Sequence, residues 1–174
     1  ALSDDGRFFA VFNMNPGTSL SIVDVAERRF VAEIDTPGCS LVYAAGPRRF
    51  LSLCADGTAL VVTLDEGGRE ASKAHTERWF DPKADPVTEK AVRRGGQWFF
   101  VSFEGFVHEG DLSGESPRFA APWSRFNAGE REAGWRFGGV QPLALHEATG
   151  RLYALVHQGG ADEHKEPGTE VAIY

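Results

Sequence analysis

The chain has 174 residues, of which 42% are hydrophobic and 25% charged, and its formal net charge at pH 7 is −7. This length and composition are sufficient for a globular domain with a sizeable core. The acidic balance, without any basic stripe in the sequence, argues against nucleic-acid binding. No apolar run approaches the roughly 18 residues of a membrane-spanning helix, so we expect no membrane insertion.

Both ends of the sequence interrupt recognisable patterns. Ala1 directly precedes a turn and an apolar run, and Tyr174 ends the run TEVAIY, which has the composition of a strand. We therefore interpret the chain as a portion of a longer protein, whose blades are cut at both ends. Any export signal would lie upstream of the sequence given.

A fourfold repeat organises the chain. Each copy is a polar turn with glycine, then Arg or Gln, then an apolar β-rich run, and a second strand follows it. The copies are SDDGRFFAVF from Ser3, AAGPRRFLSL from Ala44, RRGGQWFFVSF from Arg93 and EATGRLYALV from Glu147. We assign their turns to Gly6, Gly46, Gly96 and Gly150.

Repeats of about 40–50 residues with about four short strands each are typical of β-propellers. Each strand group has two apolar faces, and stacking against neighbouring groups buries both. The polar run EASKAHTE at residues 70–77 predicts an edge strand that resists unwanted pairing. Four copies correspond to roughly three to four blades, fewer than a closed ring usually has. We predict that residues 1–174 are part of a single larger β-propeller domain, or that they associate with another copy.

The two cysteines, Cys39 and Cys54, flank a predicted hairpin, CSLVYAAGPRRFLSLC. Antiparallel pairing would bring them side by side, within reach of a disulfide. Such a bridge stabilises by about 3 kcal/mol in the chain-entropy model and indicates an oxidising compartment. The alternative is two buried free thiols, which are common as small core residues. Their position at strand ends favours the bridge and leaves the alternative open.

Two segments interrupt the repeat. Residues 79–92 contain two Asp-Pro steps and are predicted to form an exposed connection between blades. The second is an inserted loop at residues 122–141, within a longer non-repeating stretch that runs to His146. Inside it, Asn127 is placed to cap a short helical turn that Gly134 ends.

The insert and the strand ends near it mix aromatic and hydrogen-bonding side chains. This mixture suits a protein interface, in which aromatic residues and arginine are anchors, although a loop that folds on its own aromatics is the alternative. Arg136 is the preferred anchor, because its guanidinium can bind carbonyl or carboxylate groups of a partner. The candidate interface or channel residues are Trp135, Arg136, Phe137, Gln141, His157, Gln158, His164 and Lys165.

Other chemistries have little support in the sequence. His157 and His164 are the closest pair of histidines, but hydrogen bonding to a loop backbone is a commoner role than metal binding. The acidic residues in the connection at 79–92 lack the oxygen spacing of a calcium loop. No Gly-x-Ser-x-Gly nucleophile motif is present. We therefore predict neither a catalytic residue nor a metal in this chain.

Four stretches resemble the heavy subunit of quinoprotein amine dehydrogenases, the methylamine and aromatic amine enzymes. They are IDTPGCSLVY from Ile34, LSLCADGTALVVTLDEGG from Leu51, EREAGWRFGGVQPLALHEATGRLYALVHQGG from Glu130 and HKEPGTEV from His164. The resemblance implies a seven-bladed propeller, a periplasmic location and a disulfide between Cys39 and Cys54. One departure is that Phe137 and Val140 stand where the family's insert often has Pro and Trp.

The resemblance also implies an assembly of two heavy and two light subunits. The light subunit carries the cofactor, tryptophan tryptophylquinone, so none is expected in this chain. The heavy subunit would be a scaffold that walls part of the channel for a primary amine, which is oxidised to aldehyde and ammonia. A blue-copper protein or a cytochrome would take the electrons. The alternative is a non-catalytic propeller that binds a protein or small ligand without a light subunit.

Overall fold

In the computed structural model, which describes residues 1–114 and 116–174, the chain forms four antiparallel β-sheets. It divides into two compact units. Unit 1 comprises Ala1–Asp81 and Leu112–Pro117, and unit 2 comprises Pro82–Asp111 and Arg118–Tyr174. The predicted all-β class is therefore confirmed.

Unit 1 contains two sheets whose strands follow one another in chain order, as short hairpin connections require. The first sheet consists of β1 (Phe8–Asn13), β2 (Ser19–Asp24) and β3 (Arg29–Asp35). The second sheet consists of β4 (Cys39–Ala44), β5 (Arg49–Cys54), β6 (Ala59–Leu64) and β7 (Glu70–His75).

The core of unit 1 joins its two sheets. Phe8 of β1 and Ile22 of β2 belong to one cluster with Phe50 of β5 and Val62 of β6, and all four are fully buried. Burying a side chain of this size contributes about 1.5–3 kcal/mol. The two sheets thus bury one face of each against the other, as predicted for neighbouring blades.

Unit 2 also contains two sheets, and the insert adds short elements to both. The third sheet consists of β8 (Val92–Arg94), β9 (Gln97–Val101), β10 (Phe106–Asp111) and β11 (Arg118–Phe119), with β12 (Trp123–Ser124) also paired to β10. A short helix, α1 (Ala128–Glu132), follows. The fourth sheet consists of β13 (Trp135–Phe137), β14 (Leu143–His146), β15 (Arg151–Gln158) and β16 (Glu170–Ile173), with β15 at its centre.

The repeated phrase marks the turn before β1, β5, β9 and β15. Of these, β5, β9 and β15 are inner strands of their sheets, whereas β1 is at the edge of the first sheet. The turn of the third copy includes Gly96, as predicted, together with Gly95. Gly95 and Gly96 together form the two-residue connection between Arg94 and Gln97, and Gly95 is the residue with a positive φ, +57°. Two-residue hairpins that match the twist of the strands need a positive φ at the first turn position, which glycine adopts without strain.

The predicted polar edge strand is confirmed. All six residues of β7 are exposed, whereas β6 beside it is buried at every position except Thr63. The apolar run of β6 is therefore covered on both faces, and the charged and small residues of β7 end the sheet.

The connection at residues 79–92 is not the exposed segment that the sequence predicted, because most of it is half-buried. In unit 1, the Trp79 amide donates to the Gly57 carbonyl at 3.0 Å. In unit 2, the Thr88 amide donates to the Val101 carbonyl at 2.8 Å. These bonds satisfy backbone groups against neighbouring strands, and this holds the segment down onto each unit.

The outer face of the first sheet carries a row of apolar side chains. Leu2, Phe9, Val23 and Phe30 are successive cross-strand partners, and we call them the apolar row. Leu2, Phe9 and Phe30 are 48%, 42% and 59% exposed. Isolated exposed apolar side chains are ordinary on a protein surface, whereas adjacent ones such as these form an apolar patch.

Candidate interface at the inserted segment

The insert begins with the helical turn predicted from its sequence. The Asn127 side chain accepts from the Glu130 amide at 2.9 Å, and the Glu130 carboxylate accepts from the Asn127 amide at 2.8 Å. This reciprocal pair is a capping box, which satisfies two amides that the first turn of α1 leaves free. Gly134, with φ +84°, follows the helix, so the predicted end is also confirmed.

After Gly134 the chain enters β13, which pairs with β15 and brings most of the candidate residues together. Trp135 lies opposite Gln158, and Arg136 lies opposite His157. The side chain of Gln158 donates to the Ala133 carbonyl at 3.1 Å. Five of the eight candidate residues therefore belong to one strand pair of the fourth sheet. The fifth is Phe137, which lies in the core and has only 1% of its surface exposed.

Arg136, the preferred anchor, lies inside unit 2. Only 8% of it is exposed. Its Nε donates to the Gly134 carbonyl at 3.2 Å and its Nη1 to the Phe103 carbonyl at 3.4 Å, with the Glu104 carboxylate 3.9 Å away. The guanidinium thus ties β13 to the loop after β9, and a buried cation with carbonyl and carboxylate partners is a stabilising arrangement.

His157 is also buried, with 4% of its surface exposed. Its Nε2 atom has no hydrogen-bond partner among the residues that the structure describes. A Cβ atom on Gly138 would lie 2.3 Å from Cδ2 of this ring, so only glycine fits beside it. The close packing accounts for the first glycine of the pair that follows Phe137, and the second, Gly139, has a positive φ of +95°.

The remaining candidates lie on the loops around β15. His164 stacks on Phe103 with ring centroids 3.7 Å apart. The Lys165 ammonium lies 4.0 Å from the Glu89 carboxylate, and 62% of the Lys165 side chain is exposed. Gln141 donates to the Leu143 carbonyl at 3.1 Å. Lys165, like Gln141 and Gln158, is exposed and open to a partner, and its surface ion pair contributes little to stability.

A cleft of about 180 Å³ opens next to these residues, and sequence reasoning assigned only Trp135 of its lining. It is lined by Arg125, Phe126, Glu130, Trp135, Val156, Glu170, Val171 and Ala172. These residues come from the insert, β15 and β16, and no spacing in the sequence links them. The pairing of β13 and β16 with opposite sides of β15 brings them together.

Cys39 and Cys54 form a disulfide across the first residue of β4 and the last of β5, as predicted. Their sulfur atoms and an imidazole nitrogen of His75 all lie within 4.8 Å of one another. Sequence reasoning did not select His75, because it is 21 residues beyond Cys54 and two strands away. In the described part of the chain, neither His157 nor His164 belongs to such a cluster.

Within residues 1–114 and 116–174, no helix is long and apolar enough to cross a membrane. The four sheets contain three, four, five and four antiparallel strands, an arrangement that agrees with the fold class identified by comparison with solved structures.

That class is the β-propeller. The chain resembles the β-propeller domain of Cps50 (Swd1) from Myceliophteria thermophila with a TM-score of 0.53 and 14% identity, over 90% of this chain and 47% of that one. It resembles the periplasmic gluconolactonase of Pseudomonas aeruginosa with a TM-score of 0.52 and 15% identity, over 99% of this chain and 55% of that one. At these identities the likeness shows the fold alone, and it confirms a portion of a propeller.

A family model described as methylamine dehydrogenase heavy chain (MADH) matches residues 1–173, so the chain belongs to this family. The methylamine dehydrogenase heavy chain of Paracoccus versutus is 28% identical over 174 residues, which are 99% of this chain and 40% of that protein. The heavy chain of Methylophilus methylotrophus is 27% identical over 175 residues, which are 99% of this chain and 42% of that protein. The chain therefore spans about two fifths of the length of these curated relatives.

Proposed function

We propose that the chain is a portion of the heavy subunit of a periplasmic amine dehydrogenase, which oxidises primary amines to aldehyde and ammonia. In this proposal it supports a quinone-bearing light subunit and lines part of the amine channel, while a blue-copper protein or a cytochrome accepts the electrons. The observation that carries the proposal is the family match over residues 1–173. The disulfide supports the periplasmic location, because such bonds persist in oxidising compartments.

The proposal assigns the quinone to the light subunit, since the tryptophans here do not fit it. Tryptophan tryptophylquinone needs two tryptophan rings joined to each other. In the strand register, Trp98 lies opposite Arg93 and Gly110, Trp123 opposite Val107, and Trp135 opposite Gln158. No strand pairing among the described residues places one tryptophan against another, so we derive no chemical step on this chain.

The insert is the surface that we propose for the light subunit. Val140 is 67% exposed beside the buried Phe137, and Lys165 presents a charge on the loop after β15. An exposed apolar residue with a polar surround is the arrangement of an interface anchor and its rim. Arg136 and His157, being buried, would act by holding this surface in place rather than by contacting the partner.

The proposed activity is tested on the full-length protein purified from its source. We expect a small, cysteine-rich subunit with a quinone absorption band to co-purify, and the complex to reduce an artificial electron acceptor when a primary amine is added. If the protein is isolated alone and inactive with amines, the enzyme proposal fails, and the non-catalytic binding module becomes the better account.

The proposed surface is tested separately with two exposed valines. Val140→Asp should weaken capture of the light subunit at least tenfold, because the interface would have to bury an unpaired carboxylate. Val25→Asp in unit 1, where the valine is 43% exposed, is the matched control and should leave capture unchanged. Equal losses in the two variants would show that the insert is not the contact surface.

A further inference from the structure

One end of the second sheet brings together two sulfurs and an imidazole. Cys39 begins β4 and lies opposite Cys54, which ends β5, while His75 ends β7. The two sulfurs and an imidazole nitrogen lie within 4.8 Å of one another. Cys39 and Cys54 are 1% and 4% exposed, whereas His75 is exposed. The sulfurs are therefore shielded from solvent, while the histidine near them is exposed.

The hydrogen bonds around His75 define which of its nitrogens is free. The Thr58 hydroxyl donates its proton to the Asp56 carboxylate at 2.7 Å, and its oxygen lies 2.9 Å from Nδ1 of His75. Since a hydroxyl has one proton, Nδ1–H must donate to Thr58, which leaves the lone pair on Nε2. A histidine that donates one ring nitrogen to an oxygen and keeps the other basic is arranged as metal-binding histidines are.

The charge of the neighbouring carboxylate has the right sign for a cation. The Asp56 carboxylate accepts the Thr58 hydroxyl proton at 2.7 Å, so it is linked to His75 through Thr58. Outer carboxylates support histidine ligands of metal sites by hydrogen bonding, and here one hydroxyl group lies between the carboxylate and the imidazole.

We propose that reduction of the Cys39–Cys54 disulfide converts this corner into a Cys₂His site for a thiophilic divalent cation, with Zn²⁺ as the reference ion. A dithiol or a phosphine supplies the two electrons, and with two protons the bridge becomes two thiols. Binding of Zn²⁺ then releases both thiol protons and forms two Zn–S bonds and one Zn–N bond, with water as the fourth ligand. In the disulfide each sulfur is bonded to the other and is not a thiolate, so the oxidised site binds no zinc.

The geometry needs only a local adjustment. A tetrahedral zinc ion with two thiolates and one imidazole holds its ligand atoms about 3.5–4 Å apart. The present separations lie within 4.8 Å, and breaking the bridge frees both sulfurs to move apart around the ion. This inference does not depend on the proposed amine dehydrogenase function.

The test is zinc binding by the whole chain in its two redox states. The protein is reduced with a phosphine under argon, its fold is checked by far-ultraviolet circular dichroism, and Zn²⁺ is titrated in competition with a chromophoric chelator. Co²⁺ serves as the spectroscopic probe, because thiolate ligands give it charge-transfer bands. We expect one Zn²⁺ per reduced chain and none per oxidised chain.

Three variants separate the site from adventitious binding. His75→Ala should weaken zinc binding at least 100-fold, and Thr58→Val, which removes the support of the histidine, about 10–100-fold. The matched control is His146→Ala, since His146 is also exposed and has Nδ1 2.7 Å from a threonine hydroxyl, that of Thr149, but belongs to no such cluster among the described residues. It should bind zinc as the wild type does.

Four results would overturn the proposal: no zinc bound by the folded, reduced chain, equal zinc bound by the oxidised chain, an unchanged affinity in His75→Ala, or loss of the fold on reduction. Thr58→Val also distinguishes a folded site from binding by an unfolded chain. In an unfolded chain Thr58 does not hold the imidazole, so an unchanged affinity in this variant would likewise contradict the assignment.

Discussion

Cys39 and Cys54 belong both to the core of unit 1 and to the disulfide that closes the hairpin of β4 and β5. The two residues are almost fully buried and lie opposite each other in the sheet. Their sequence separation is 15 residues. A bridge across a loop of that length lowers the conformational entropy of the unfolded chain, which stabilises the folded state by about 3 kcal/mol. The position of both cysteines at strand ends allowed the bridge to be predicted. The location of His75 next to them could not be predicted, because it depends on the register of β6 and β7.

Removing the bridge should therefore destabilise the protein. We expect Cys39→Ala with Cys54→Ala to lower the free energy of unfolding by about 3 kcal/mol, measured by urea denaturation with a chelator present. A reductant should shift the wild-type midpoint toward that of the double variant and leave the variant itself unchanged. If complete reduction, verified by alkylation and mass spectrometry, leaves the wild-type midpoint in place, the bridge does not stabilise the fold.

Tyr174 gives the protein an alkaline pH dependence. Burial raises the pKa of its phenol from 10.0 to about 12, while Arg125 lowers it and Glu130 raises it to a smaller extent. The folded state thus holds the phenolic proton more tightly than the unfolded chain, so this contribution is complete below about pH 10 and is lost as the pH rises from about 10 to 12.

We expect the wild type to lose more stability than Tyr174→Phe between about pH 9 and pH 11, because the variant has no phenolic proton at this position. The free energy of unfolding at each pH and an ultraviolet titration of phenolate formation provide the two measurements. Parallel losses of stability in the two proteins would contradict the assignment.

At the scale of elements, what the sequence could predict was local. The apolar runs, the glycine turns, the polar β7 and the cap of α1 each depend on neighbouring residues, and each was recovered. The pairing of β13 with β15 was not predicted, because β13 has only three residues, Trp135–Phe137, which are too few to show the alternation of a strand. The burial of residues 79–92 was missed for a related reason, since its hydrogen bonds reach strands distant in the sequence.

The cap of α1 should be measurable in isolation from the core. Asn127→Ala removes one side of the capping box and should lower the free energy of unfolding by about 1 kcal/mol. Glu132→Gln, at the exposed end of the same helix, is the control and should stay within about 0.5 kcal/mol of the wild type. A variant Asn127→Asp, which keeps the acceptor oxygen, should recover most of the loss; no difference between Ala and Asp would argue against the cap.

At the scale of the whole molecule, the apolar row is the feature that a single pair of blades leaves uncovered. The inner face of the first sheet is buried against the second sheet, while its outer face presents Leu2, Phe9 and Phe30 to solvent. The curated relatives are about two and a half times as long as this chain. We propose that another blade of the full-length heavy chain packs on the apolar row, so that residues 1–174 are one portion of a single propeller domain.

This proposal predicts different costs at two exposed positions. In the full-length protein, Phe30→Asp should lower the free energy of unfolding by about 2–4 kcal/mol, because a carboxylate would be buried between blades. Ala71→Asp on the exposed β7 is the control and should change it by no more than about 0.5 kcal/mol. Chemical denaturation of both variants measures the difference, and a small effect at Phe30 would mean that no blade covers the row.

The polar character of β7 affects which part of the protein forms fibrils on heating. The six exposed residues of β7 are Glu, Ala, Ser, Lys, Ala and His, and the Lys73 ammonium donates to the Asp35 carbonyl at 2.9 Å. An edge strand with this polar and charged composition is a poor template for amyloid growth. Fibrils formed on prolonged heating should therefore incorporate the phenylalanine-rich start of the chain before they incorporate this edge, and limited proteolysis of such fibrils would leave β7 accessible to cleavage at Lys73.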